Sequence, residues 1–356
     1  MSEPRGKYPV SKPSIGKREW SYVLEAVESG WVSSKGKFVE ELEVHWASFC
    51  QKKHAVACSS GTTALTLALA ALKIGPGDEV IVPEFTMIAS AWAVNYVGAT
   101  PVFVDCDDSL SIDVKSIREK ITPRTKAIMP VHIYGRLCNM TAIQKIAREF
   151  NLRVVEDACE VHGAEGVGQS DIQCYSLFGN KIITSGEGGL ITTDNPELAW
   201  QLSHLRTMSF DEDHSFLHPK LGYNFRTSNL QAAVAKGQVE SIDRFLEKRE
   251  LIERWYDDKL GHLSIGARSV LWMYDIVLPS TTDRDKLISL LAEKNIETRR
   301  FFKPMSQQPM YFDKEHTRLR AYDFSLRGLY LPTYVELERS DVNYISEQLL
   351  TFLKVC

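Results

Sequence analysis

Glu79-Val80-Ile81-Val82-Pro83 and Pro101-Val102-Phe103-Val104-Asp105, with a helical stretch from 87 to 97 between them, decide the fold. Short β-rich runs alternating with helical ones mark a mainly parallel sheet covered on both faces. The same alternation extends on either side. Ala55-Val56-Ala57, Ala127-Ile128-Met129-Pro130-Val131 and Arg153-Val154-Val155-Glu156-Asp157 read as further strands, and 62 to 73, 113 to 120 and 140 to 150 as further helices. The pattern predicts an α/β, doubly wound sheet in a large domain, 13 to 240. Beyond it the texture changes to a long charged helix, Ser241 to Leu260, then a strand at 272 to 278 and more helices. This predicts a smaller C-terminal α/β domain, 241 to 356, completed in space by the N-terminal segment, with the helix around Arg18 to Ser29 as the joining element.

At 356 residues with 44% hydrophobic content, the chain is long enough for one large domain plus a smaller one. A net charge of -4 without a basic run argues against a nucleic-acid partner. The seven cysteines lack a CxxC pair or metal-ligand spacing, so free, mostly buried thiols in a reducing compartment are expected. No His/Cys cluster points to a metal. The first residues lack the apolar core of a secretory signal and no apolar run reaches membrane-spanning length, which reads as cytoplasmic.

In an open sheet of this kind, ligands gather at the carboxyl ends of the strands. Three groups stand there. Cys58-Ser59-Ser60-Gly61-Thr62-Thr63 is a hydroxyl-rich turn opening a helix, an anion cradle if more than an ordinary Ser/Thr cap. Asp157 closes an apolar run in Glu156-Asp157-Ala158-Cys159-Glu160, placed either to keep a heteroaromatic nitrogen protonated or to cap a helix. Lys181 sits in Ser176-Leu177-Phe178-Gly179-Asn180-Lys181, ahead of Gly186-Glu187-Gly188-Gly189, where a partly desolvated amine can meet a carbonyl. Phosphate, ring nitrogen and aldehyde are the three holds that pyridoxal 5'-phosphate (PLP) needs.

With these anchors, the chain resembles the sugar-nucleotide aminotransferases of the aspartate-aminotransferase superfamily over nearly its whole length. Ser29 to Gly36, Pro130 to Gly135, Gly222-Tyr223-Asn224-Phe225-Arg226 with Gln231-Ala232-Ala233, and Ile296-Glu297-Thr298-Arg299 are also similar to that family. The resemblance implies that Lys181 joins the cofactor and moves the substrate proton, and that Asp157 holds the pyridinium. It implies Gly61, Thr62 and Ser176 as phosphate ligands, with Ser60 beside them among the cofactor-binding residues and Asn224 reaching the phosphate from the partner subunit of a homodimer. Glu160 matches a position beside the ring, and Ser33, Ser34, Lys35 and Arg299 are candidates for the nucleotide sugar. By the same resemblance, glutamate donates the amine to a 4-keto-6-deoxy sugar nucleotide, GDP-linked in the first instance and dTDP- or UDP-linked in the second.

Three departures stand out. Met87 occupies the place of the family's stacking aromatic, the stretch from Gly163 to Ser176 is shorter than usual, and Ser306 stands where histidine is common. The last two fall where sugar or partner contacts are expected. His162, five residues after Asp157, reads as a hydrogen-bonded supporting histidine, with orientation of the Asp157 carboxylate as its functional alternative; His132 is equally ambiguous. Rival functions on the same anchors are a dehydratase, which lacks the lysine, an amino-acid lyase, and a PLP-binding regulator without turnover, for which no DNA-binding extension is visible.

Overall fold

The computed structural model describes residues 6–211, 213, 215–279 and 283–353; Cys356, one of the expected thiols, lies outside them. Seven strands form the main sheet: β1 (His54–Cys58), β2 (Glu79–Pro83), β3 (Thr100–Val104), β4 (Thr125–Ile128), β5 (Arg153–Asp157), β6 (Ile172–Ser176) and β7 (Gly189–Thr193), in the order β1-β7-β6-β5-β4-β2-β3. Pairing is parallel from β3 through β2, β4 and β5 to β6, and antiparallel where β7 meets β6 and β1. Strands β2, β6 and β7 are buried along their whole length, as strands of a sheet covered on both faces are.

One core face packs the helix Gly61–Ala71 against β1, β2, β5 and β6 through Leu65, Leu67, Val56, Val80, Val155 and Cys174. That helix is apolar nearly all round because it is enclosed on all sides. A second cluster, around Ile81, Ile128, Ile143 and Val154, covers the opposite face. Six described cysteines are free, four of them buried, and burial pushes the Cys58 thiol up to about 11 and Cys50 to about 12.

The second sheet has three antiparallel strands, β8 (Tyr274–Val277), β9 (Arg299–Arg300) and β10 (Gly328–Leu331), in the order β8-β10-β9. Its core gathers Ile252, Tyr256, Leu287, Ile345 and Leu349. The N-terminal residues reach it directly: Tyr8 is buried in this cluster, its N–H donates to Asn295 at 2.8 Å, and the Val10 carbonyl accepts from Thr333 at 2.8 Å. The helix Lys17–Glu28 behaves differently from the expectation. It packs against Asn229–Val239, where Gln238 Nε2 donates to Glu19 Oε1 at 2.7 Å, so the segment before the helix joins the small sheet and the helix does not.

A buried charge cluster ties the two sheets. Arg136, after β4, grips Asp275 of β8 with two bonds of 2.9 Å, and Arg268 donates to the same carboxylate at 2.8 Å and to Glu253 at 3.0 Å. Burial alone would raise the Asp275 carboxyl, but the two guanidiniums outweigh it and hold it below the usual range. Removing one partner from such a buried set strands the others without water. Asp275→Ala is therefore expected to cost about 3–5 kcal/mol in denaturant unfolding, whereas Arg254→Ala, which removes an exposed pair with Glu250, leaves the midpoint nearly unchanged.

Candidate active site

The carboxyl ends of the parallel strands converge on one cavity of about 370 Å³, lined by Ser60, Gly61, Thr62, Met87, Asp157, Glu160, Ser176, Lys181 and Arg299 among others. Its floor is the turn after β1. Ser60 caps the helix Gly61–Ala71, its hydroxyl accepting from Thr63 N–H at 3.1 Å, so the modest reading of that turn holds for the Ser60 side chain. The N–H groups of Gly61 and Thr62 in the same first turn have no intrahelical acceptor and remain for an anion. Gly61 is required by close approach, since a Cβ there would lie 2.8 Å from Ser176 Cβ.

Asp157 ends β5, buried at 4% exposure. Its carboxylate accepts from the Ser90 hydroxyl at 2.8 Å and from Cys159 N–H at 3.2 Å. Lys181 sits on a turn closed by Lys181 N–H to Phe178 O at 2.9 Å and Thr184 hydroxyl to Leu177 O at 2.8 Å. Its ammonium lies 4.0 Å from the centroid of the Trp272 ring and 3.6 Å from Glu160 Oε1, with the side chain 11% exposed. Trp272 is itself fixed by Nε1 donating to Asn180 O at 2.8 Å.

Burial pushes the Glu160 carboxyl up to about 7, against the opposing pull of Lys181 and of the Tyr134 N–H at 2.8 Å. Tyr134 adopts the left-handed conformation at φ 49, and at Gly135, φ 83, a Cβ would fall 1.9 Å from the Val270 carbonyl. The Pro130 to Gly135 phrase thus serves as a tight crossing under the small sheet and a donor to Glu160.

Other expected residues fall elsewhere. Ser34 and Lys35 line a separate cavity with Arg206, Phe210, Phe216 and Arg226, and the Ser33 carbonyl accepts from Asn229 N–H at 2.9 Å. Asn224 is outside the Lys181 cavity of its own chain, its Oδ1 accepting from Arg226 Nε at 2.9 Å. Ser306 is buried and its N–H donates to Glu84 at 3.0 Å, so it does not face this cavity; the short 163 to 176 stretch instead folds back to give Gly168 and Ser170 N–H to Glu156 at 3.1 and 2.9 Å.

His162 does not orient Asp157. Among the described residues neither of its ring nitrogens has a hydrogen-bond partner, it packs against Trp46 and Tyr175, and burial with the nearby Lys181 charge pushes it down to about 3. His132 is structural: its Nε2 bonds Glu156 at 3.0 Å and its Nδ1 accepts from Cys138 N–H at 3.2 Å. Glu187, from the glycine run after Lys181, lines the cavity too, and so do Trp272, Phe302 and Tyr330, which were not singled out by sequence as site residues. Nothing in the spacing of those three aromatic residues relates them to Lys181.

The whole length now supports an assignment. The DegT/DnrJ/EryC1/StrS aminotransferase family model matches residues 13–350. The chain belongs to this family. It is 43% identical to GDP-perosamine synthase of Caulobacter vibrioides, over 94% of this chain and 95% of that one, and 38% identical to GDP-perosamine synthase of Escherichia coli O157:H7, over 97% and 98%. Spr1654 of Streptococcus pneumoniae, solved in its PLP form, superposes with a TM-score of 0.91 at 26% identity, covering 98% of this chain and 99% of that one. This protein is an aminotransferase, and PLP is the cofactor of its family.

The cavity of this aminotransferase fits that cofactor. A helix N-terminus with glycine-permitted approach suits the phosphate, a buried carboxylate suits the ring nitrogen, and a lysine amine stands beside both. Glu160 supplies a pH test. Its folded value near 7 lies above the ordinary 4.5, so the stability it contributes is fully present below 4.5 and lost as pH rises through 7. In the cofactor-free protein, Glu160→Gln should therefore gain melting temperature relative to the parent between pH 4.5 and pH 8; parallel pH curves would refute the raised carboxyl.

Proposed function

We propose that this aminotransferase transfers an amino group from glutamate to GDP-4-keto-6-deoxymannose, giving GDP-perosamine, as a homodimer whose active sites are shared. The observation that carries the reading is the meeting of Lys181, Asp157 and the Ser60–Thr62 turn on one cavity, in a chain most of whose length aligns with GDP-perosamine synthases. An amino donor and a keto acceptor then use the same lysine in turn.

When bound, PLP supplies an aldehyde that carries the amine and a ring that takes up an electron pair. The residues of this chain do the rest. Gly61, Thr62 and Ser176 would hold the phosphate and Asp157 the ring nitrogen, keeping it protonated by an adjacent negative charge. Lys181 Nζ takes the proton from the donor's α-carbon and returns one to the sugar carbon. Glu160, whose carboxyl burial pushes up to about 7, stands 3.6 Å from that amine. Phe302, Tyr330 and Trp272 line the same cavity with aromatic surface, which displaces water from beside the charges there. Arg299, on the same wall with its side chain 64% exposed, is positioned for an anionic part of the substrate.

Met87 lines the cavity at 50% exposure, where a thioether packs against a ring with less flat area than an aromatic would offer. The shared site is supported by what one chain leaves outside its own cavity. Asn224, Ser33, Ser34 and Lys35 stand apart from it, and Trp20, Trp31, Phe216 and Leu221 expose apolar surface suited to a second copy. We read the chain as dividing into residues 13 to 240, holding the cofactor, and 241 to 356. The free thiols favour the cytoplasm; no described helix is long and apolar enough to cross a membrane.

Lys181→Ala is expected to keep the fold and abolish 2-oxoglutarate release from glutamate; undiminished transfer would sink the mechanism. For the acceptor, kcat/KM is to be compared across GDP-, dTDP- and UDP-linked 4-keto-6-deoxy sugars with glutamate as donor. The GDP sugar should lead, and a clear preference for either other base would overturn the acceptor while leaving the aminotransferase intact. For the shared site, mixing inactive Lys181→Ala subunits with inactive Asn224→Ala subunits should restore activity through hybrid dimers, and a fully active monomer at assay concentration contradicts it.

A further inference from the structure

Asp157 is held by a relay of hydroxyls that no function above has used. Ser90 donates to Asp157 Oδ2 at 2.8 Å, and Ser90 Oγ lies 3.0 Å from Thr86 Oγ1. All three side chains are buried, at 0%, 4% and 1% exposure for Ser90, Asp157 and Thr86. An ionised carboxylate only accepts hydrogen bonds, and a serine has a single proton to give. Ser90 therefore spends its proton on Asp157, and Thr86 becomes the donor in the Thr86–Ser90 pair. The relay runs from Thr86 to Ser90 to Asp157, the Thr86 proton having the Met87 carbonyl at 3.4 Å as its longer alternative.

The other carboxylate oxygen accepts from Cys159 N–H at 3.2 Å, so the plane of the group is set from two sides. Ser90 also lies in the first turn of the helix Ile88–Tyr96, whose positive end thereby faces the carboxylate. Met87 is the N-cap of that same helix and lines the cavity, and it offers no side-chain cap of its own. One short segment, Thr86 to Ser90, thus carries both a residue lining the cavity and the hydroxyls that aim its carboxylate.

We propose that Ser90, supported by Thr86, is a positioning residue for Asp157: its hydroxyl fixes the carboxylate plane so that a lone pair points into the cavity toward the ring nitrogen of the cofactor. This rests on the aminotransferase reading of Asp157. Without the hydroxyl, one oxygen of this buried carboxylate loses its protein donor and the carboxylate plane is held from one side only. The loss should fall on the ring's ability to take up electrons more than on substrate binding.

The test uses the full-length holoenzyme with Ser90→Ala, Ser90→Thr, Thr86→Val and, as reference, Asp157→Asn. Four quantities are read: PLP affinity by titration of the cofactor-free protein, the pH midpoint of the visible absorption band, kcat with KM for glutamate, and melting temperature. Ser90→Ala should lower kcat about tenfold to a hundredfold, the scale of a hydrogen bond to a charged group, with KM changed less than about twofold, and should shift the absorption midpoint and weaken PLP binding in the direction of Asp157→Asn. Ser90→Thr, which keeps the hydroxyl, should recover most of both, and Thr86→Val should show the same signs at smaller size. A Ser90→Ala enzyme with parental kcat and absorption midpoint overturns the proposal, as does a loss that follows melting temperature and is not recovered by threonine. If Asp157→Asn itself behaves as the parent in all four, the reading of Asp157 fails first, and this proposal with it.

Discussion

The parallel pairing of β5 with β6 is the constraint on which the site depends. It sets Asp157 opposite Cys174 and so fixes how far the end of β5 stands from the turn that follows β6. A strand register has a period of two, and a slip of one residue would turn Asp157 from the cavity into the helical layer. The Lys181 backbone is then placed by the turn: Phe178, Leu177 and Thr184 close it over five backbone and side-chain bonds, with Gly186 and Gly188 at positive φ where the chain doubles back to β7. Backbone thus sets where the two side chains start, and their ends are held by neighbours: the amine by the Trp272 ring and Glu160, the carboxylate by Ser90 and Cys159 N–H. Such preorganisation is what a site needs if charge is to be stabilised without rearrangement.

The second sheet completes what the first begins. Trp272 and Tyr330 come from it or its border, and Phe302 follows β9, so the wall facing Lys181 is supplied by chain some 90 to 150 residues further on. The Arg136, Arg268, Asp275 and Glu253 cluster binds that wall to the strand ends, and Tyr134 OH accepts from Phe302 N–H at 3.3 Å on the cavity side of the same junction. A buried ionic lock of this sort stabilises little over an apolar alternative, but it tolerates only one arrangement of its partners. Its position at the junction matches a need for fixed geometry between the two sheets.

What the sequence made legible is what repeats locally. Strand β5 and the helix Met140–Phe150 carry their own pattern and were readable, as were the Ser60 turn, Asp157 and Lys181, each punctuated by glycine, hydroxyl or a strand end. Strands β6 and β7 were not delineated, because Ile172–Ser176 and Gly189–Thr193 are short and bounded by glycine-rich turns that themselves dominate the reading. Contacts between distant positions had no local signal. Ser90 meets Asp157 across 67 residues, Trp272 meets Asn180 across 92, and the Arg136–Asp275 pair spans 139. His162 was misleading for the same reason, since five residues from Asp157 in sequence proved to mean an aromatic pocket behind it.

The central claim is that the Lys181 amine, among all the lysines of this chain, is the one that joins the cofactor aldehyde. Borohydride reduction of the PLP-loaded protein, followed by protease digestion and mass mapping, tests it directly. The account predicts one pyridoxyl adduct per chain, on the peptide containing Lys181. An adduct on any other lysine in its place, or a fully loaded protein that yields none, would contradict it.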